Sequence, residues 1–284
     1  MTKFENKIDF AALISVNNAN PNGDPLNGNR PRTDYNGYGE LSDVCIKRKI
    51  RNRMQDLGCR VFVQSDDRAD DGAISLNDRA SKAEGLNKIK NIDEFAKAAC
   101  KQWIDVRTFG QVFAFSKGFN VKSVGVRGPV SVHQAVSYDP VEVTSMQITK
   151  SVSGDKKEGQ ERGSDTMGMK HFVRFGLYEI KGSINVQLAD KTGFSVEDAE
   201  VLKECLQTLF MNDASAARPD GSMEVVKVYW WEHNCRDGQY SSAKVHRSLH
   251  VHLKEGVMAP ASVEDYIIEL EELKDLKCEV LEGK

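Results

Sequence analysis

No stretch of the chain is apolar for long enough to cross a bilayer, and the opening residues MTKFENKIDF carry no apolar signal segment. Both absences predict a soluble, cytoplasmic protein with no membrane partner. Positive charge is not in excess either. The 39 Lys and Arg against 42 Asp and Glu give a net charge of −3. That excludes a protein that coats nucleic acid through overall charge and confines any nucleic-acid surface to a local patch. The six cysteines include no Cys-x-x-Cys pair, and three lie in helical patterns beside apolar residues, as reduced core thiols do. His233, Cys235, His246, His250 and His252 cluster in sequence without a standard ligand spacing, so no metal is predicted. The sequence has no Walker loop, no Gly-x-Ser-x-Gly elbow and no dinucleotide fingerprint, and it predicts neither a cofactor nor a catalytic residue. At 284 residues we expect one large domain with insertions.

Residues 20–60, NPNGDPLNGNRPRTDYNGYGELSDVCIKRKIRNRMQDLGCR, concentrate the unusual chemistry. Pro21, Pro25 and Pro31 alternate with Asn and Gly, which tolerate positive φ and expose backbone N–H groups. Ser42 or Asp43 is placed to cap a helix whose stripe is Ile46, Ile50, Met54 and Leu57, with Gly58 to end it. Lys47, Arg48 and Arg51 share the face turned away from that stripe. From Val44 to Arg60 six basic residues face one Asp, a local balance of +5. With Arg30 and Arg32 in the adjoining loop, the segment reads as a polyanion site.

Along the chain, Ile8, Phe10, Ala12, Ile14 and Val16 alternate as a strand with one buried side, and RVFVQ (60–64) reads as a short strand. The polar segment that follows, 64–90, reads as an insertion. Residues 92–105 read as a helix, and 121–146 and 178–188 as strands. Ser195 with Asp198 caps a helix carrying Ala199, Leu202, Leu206 and Leu209. Strands are expected over 223–231 and 248–253. The tail, 261–284, holds eight acids against three lysines, and the spacing of Tyr266, Ile267, Leu270 and Leu273 predicts an acidic C-terminal helix. The element order suits an α+β class with a ferredoxin-like or RNA-recognition-type sheet. Residues 149–170 have four glycines and few apolar groups, so this long loop cannot fold on itself; Met167 and Met169 stand at its root. Phe119, in KGFNV, is expected to pack in a core rather than stack on bases.

The run NPNGDP, then NRPR, a capped helix reading DVCIKRKIR, DVRTFG at 105–110 and GPVSVHQAVSYDPV at 128–141 resembles the Cas-seven backbone family of CRISPR surveillance complexes, in particular its type I-C branch, called Csd-two. The similarity runs from the first strand to about residue 232. It implies a modified RNA-recognition (RAMP) fold over residues 1–284, with 64–90 in a fingers insertion and 149–170 in a long thumb hairpin. It also implies several copies lined along a guide crRNA, which is presented to target DNA, with Cas-five-type and Cas-eight-type subunits as partners. The implied RNA-binding residues are Asn20, Asn22, Arg30, Arg32, Lys47, Arg48, Arg51 and Arg107, with Met167 and Met169 displacing or anchoring a base. Type III relatives cut RNA with an aspartate near the first helix. Asp24 and Asp34 are the nearest candidates here, but neither has a second carboxylate at ligand spacing, and Asp24, between Gly and Pro, reads better as a turn former.

Overall fold

In a computed structural model, which describes residues 2–115, 118–149 and 167–284, one strand organises the chain. β1 (Ile8–Ala19) is buried without a break from Ile8 to Val16. Phe10, Ala12, Ile14 and Val16 enter one core while Ala11 and Leu13 enter another, so both faces are covered, where the sequence pattern suggested one. A strand of that kind belongs in the middle of a sheet.

The chain then runs through β2 (Gly23–Asp24), β3 (Arg30–Pro31), β4 (Tyr38–Leu41) and α1 (Asp43–Asp56). An insertion follows, made of α2 (Leu76–Lys82), α3 (Ile92–Gln102), α4 (Ile104–Phe109), β5 (Gly110–Ala114) and β6 (Ser123–Arg127). The chain returns through β7 (Val130–Val132), β8 (Ala135–Pro140), β9 (Val143–Thr149), β10 (Met167–Ile184), α5 (Val186–Thr192), α6 (Val196–Gln207) and β11 (Met223–Glu232). It closes with α7 (Ser242–His246), β12 (Leu249–Leu253), β13 (Tyr266–Leu270) and β14 (Cys278–Glu282). The main sheet has the order β14-β11-β1-β10-β8-β4, with β7 and β9 also paired to β10, and its ladders are antiparallel.

Helices α1 and α6 lay Ile46, Ile50, Met54, Leu202 and Leu206 on one face of this sheet. The Ser195 and Asp198 capping box forms as expected. On the other face α7 and the β12–β13 hairpin cover Leu13, Leu177, Tyr229 and Trp231. Close approach dictates Gly182: a Cβ there would lie 2.1 Å from the Phe10 ring of the neighbouring strand.

Four expectations change. RVFVQ is not a strand, because the Phe62 and Val63 N–H groups are taken by the Asp105 carboxylate at 2.7 and 3.0 Å. The insertion is wider than 64–90. Phe62, Phe95, Trp103 and Phe113 build a separate aromatic core that continues to Val124, with ring centroids of Phe62 and Trp103 4.7 Å apart, and Phe119 stacks into it on Phe115. Val186 and Leu188 belong to α5, because Asn185 caps a helix by accepting from the Leu188 N–H. The acidic tail is not a helix. Ser262 starts only a 3-10 turn, and the rest is taken up by β13 on β12 and β14 on β11. Among the described residues no helix is long and apolar enough to cross a membrane.

Candidate nucleic-acid interface

The loop between β1 and α1 holds its shape through its own polar side chains. Pro21 and Pro31 are buried beneath it. Asn20 Nδ2 donates to the Asn29 carbonyl at 2.7 Å, and Asn22 Oδ1 accepts from the Ser42 N–H at 2.9 Å, at the start of α1. Gly28 and Asn29 sit at φ +58° and +57°, a left-handed pair that Gly and Asn tolerate best. Both asparagines expected to meet RNA therefore brace the loop. Leu26 and Tyr35 project from it fully exposed.

Arg30 connects this loop to the root of the β9–β10 hairpin. Its Nη1 donates to Ser145 Oγ at 2.9 Å, and Ser145 Oγ lies 2.8 Å from His171 Nδ1. In the β9–β10 register His171 opposes Ser145, Met169 opposes Gln147 and Met167 opposes Thr149. Side chains alternate along a strand, so these residues line one face of the hairpin. Met167 and Met169 are 67% and 56% exposed, which sets them apart from strand residues entering a core. Thus a rigid donor loop, an arginine, a histidine and two exposed thioethers form one continuous strip. Ser145 and His171 were not singled out from sequence; the alternation of MGMKHFVRF was the only signal for His171. The segment between the hairpin strands, 150–166, lies outside the described residues.

The basic helix differs from its expected role. Lys47 pairs with Asp43 at 2.9 Å, one turn earlier. Lys49 and Arg53, which the apolar stripe buries, meet Asp213 and Asp56. Arg51 is 12% exposed, lies over the Phe109 ring and donates to the buried Asp105 at 3.0 Å. It does not point into solvent, because the insertion covers that side of α1. Arg48 donates to the Val63 carbonyl at 2.7 Å and has no carboxylate partner among the described residues. Partial burial, and then the neighbouring Arg51, depress its pKa. Of the three basic residues expected to face phosphates, only Arg48 makes no ion pair among the described residues, with Asp105 and Asp67 acting on it from farther off. Arg107 is likewise internal, forming a bidentate pair with Asp198 at 2.8 and 2.7 Å.

Asp24 caps a 3-10 turn by accepting from the Leu26 N–H at 3.2 Å, and lies 3.3 Å from Arg32. Asp34 accepts from the N–H groups of Asn36 and Tyr38. Both are turn formers, as the sequence setting of Asp24 suggested. His233 receives the Gln239 N–H on Nδ1 and donates through Nε2 to Asp9, while His246 donates to the Gly182 carbonyl. These histidines are occupied as internal hydrogen-bonding groups.

The molecule is thus a mixed α/β protein built on a large antiparallel sheet, with a braced polar loop set against a protruding hairpin. Residues 6–271 match the family model for CRISPR-associated protein Cas7, and the chain belongs to that family. A CRISPR-associated protein Cas7 from Haloferax volcanii is 24% identical over 211 residues, which are 69% of this chain and 62% of the relative. The chain therefore spans less than two thirds of the curated relative it matches. Chains from two solved CRISPR RNA-guided surveillance complexes, one of them described as pre-nicking, have TM-scores of 0.48. They share 18% and 16% identity, covering 89% and 84% of this chain and 78% and 81% of theirs. At that distance no residue role transfers from them.

Proposed function

We propose that this chain is a noncatalytic backbone subunit that binds guide crRNA in several copies along its length and presents it for pairing with target DNA in a CRISPR surveillance complex. The observation that carries this reading is the Arg30–Ser145 contact, which places the donor loop and the methionine-bearing hairpin on one strip. A subunit repeated along variable guides must hold phosphate and sugar without reading bases, and exposed thioethers cover the apolar surface of a displaced base. Arg30, Arg32 and Arg48 are the proposed phosphate contacts, with Lys47 at the exposed end of the helix. Asn20, Asn22, Arg51 and Arg107 position the surface from beneath.

The order β11-β1-β10-β8, with α1 after β1 and α6 after β10, supports a modified ferredoxin-like or RNA-recognition core. On that reading the insertion corresponds to the fingers and the β9–β10 hairpin to the root of the thumb. Assignment to the type I-C branch rests on the motifs from NPNGDP to GPVSVHQAVSYDPV. Partner subunits of the Cas-five and Cas-eight types, and a cytoplasmic setting, follow from that assignment. The ribonuclease alternative is disfavoured because Asp24 is engaged by Leu26 and Arg32.

Arg30→Ala removes one phosphate contact and no core contact. Guide-RNA binding should weaken alike for unrelated guide sequences, and the slope of log affinity against log salt should fall by about 1. An unchanged slope for both Arg30→Ala and Arg48→Ala would overturn the reading. Incubating the assembled complex with complementary RNA and magnesium tests the alternative: regular cuts abolished by Asp24→Ala would establish an enzyme.

A further inference from the structure

At the other end of β10 from the hairpin, a cleft of about 360 Å³ opens where α3 of the insertion meets the end of α5. From His171 to Ile184 the strand separates it from the Arg30 contact by roughly 40 Å. Its wall is made by Lys97, Cys100 and Lys101 of α3, Lys191, Thr192 and Gly193 at the end of α5, with Arg107 and Asp190.

The charges do not balance. Arg107 is answered by Asp198, and Asp190 is held by Arg236 at 2.5 Å with Lys3 at 4.0 Å. Lys97, Lys101 and Lys191 are exposed and make no ion pair among the described residues. Three lysines without an acidic partner therefore line one recess and favour the entry of an anion. Between them the wall is small or apolar, from Cys100, Thr192, Gly193 and the lysine stems. The Thr192 hydroxyl is buried behind this wall with no hydrogen-bond partner among the described residues.

We infer that this cleft is a second anion site, separate from the guide-RNA strip, which takes a nucleotide-class phosphate ester. A lone carboxylate answers one of three cations. A phosphate ester presents several charged oxygens to lysines, which bind phosphate as point charges, and a flat ring for the apolar wall. The same chemistry is offered by a free nucleotide and by a nucleic-acid strand, and the assignment does not depend on the proposed guide-RNA role.

The test titrates the full chain with a fluorescent ATP analogue and with a labelled single-stranded DNA unrelated to any bound guide. It compares wild type, Lys97→Ala/Lys101→Ala/Lys191→Ala and the corresponding triple arginine variant, with circular dichroism and retained guide RNA measured in each. Wild type should bind at least one probe in a salt-sensitive manner. The alanine variant should lose about tenfold or more in affinity while keeping its fold and guide RNA, and the arginine variant should retain binding. Binding of the nucleotide alone identifies a free ligand; tighter, lysine-dependent binding of the DNA identifies a strand. Equal binding by the alanine variant, or no binding of either probe by wild type, overturns the inference. Loss of guide RNA from a folded alanine variant also overturns it, because the cleft would then belong to the guide path.

Discussion

Asp105 shows how one carboxylate can reassign an entire helix face. It is fully buried and accepts from Phe62 N, Val63 N and Arg51 Nε, joining α1 to α4 through the 61–63 segment. Removing Arg51 leaves that charge buried with only the two amides, so Arg51→Ala should cost about 3 kcal/mol in urea unfolding. A loss under about 0.5 kcal/mol, typical of surface sites, would return Arg51 to the solvated face read from sequence. That face was legible as a pattern of Lys and Arg, but the partner of Arg51 was not: Asp105 lies 54 residues away in the chain. A second residue sets a pH response. Burial, the largest influence, holds His246 below its ordinary value. The folded protein therefore keeps it neutral, while the unfolded chain protonates near 6.5. The stability it contributes is present above that pH and is lost as pH falls toward the depressed folded value. His246→Gln should flatten the fall in melting temperature between pH 7 and pH 5; an unaltered profile would show that another group sets it.

Among the elements, β14 carries the clearest liability. It is the last strand of the sheet and covers the outer edge of β11, where Tyr229 to Trp231 lie. It carries Glu279 and Glu282 on its two faces, paired with Lys203 and Lys227, charges of the kind that discourage edge-to-edge pairing. Truncation after residue 276 should expose a long aromatic edge and produce association visible by light scattering; a monodisperse truncated chain would show that β11 needs no cover. β1 and β11 were legible as strands because β-branched and aromatic residues dominate them, although burial in β1 is continuous from Ile8 to Val16 rather than alternating. The tail was not. Tyr266, Ile267, Leu270 and Leu273 fit a helix as well as a strand, and the open edges of β12 and β11, which decide the matter, are formed by distant parts of the chain.

On the scale of the whole molecule, the insertion behaves as a satellite with its own aromatic core, tied to the main sheet by Arg48 to Val63, Arg51 to Asp105 and Arg107 to Asp198. Phe113 packs against Phe62 and Phe95 within it. Phe113→Ala should destabilise by about 3 kcal/mol. Hydrogen exchange should speed in α3 and β6 while β1 amides stay protected; equal loss in β1 would show one cooperative unit. The family was legible because NPNGDP, NRPR and DVRTFG occur in order, and the strip was half legible, since the loop and Met167 and Met169 stood out. The Arg30–Ser145 contact that joins them spans 115 residues, and no local pattern announces it.

The central position of β1 also bears on synthesis. This continuously buried strand leaves the ribosome well before its two neighbours, β10 and β11. At about 5–20 residues per second, the roughly 200 residues between β1 and the end of β11 take on the order of 10–40 s to appear. Until β10 appears, Phe10 to Val16 has no partner strand on either side, and until β11 follows one edge stays open. Nascent chains halted before Met167 therefore present an unpaired hydrophobic ribbon, the kind of segment that holding chaperones capture.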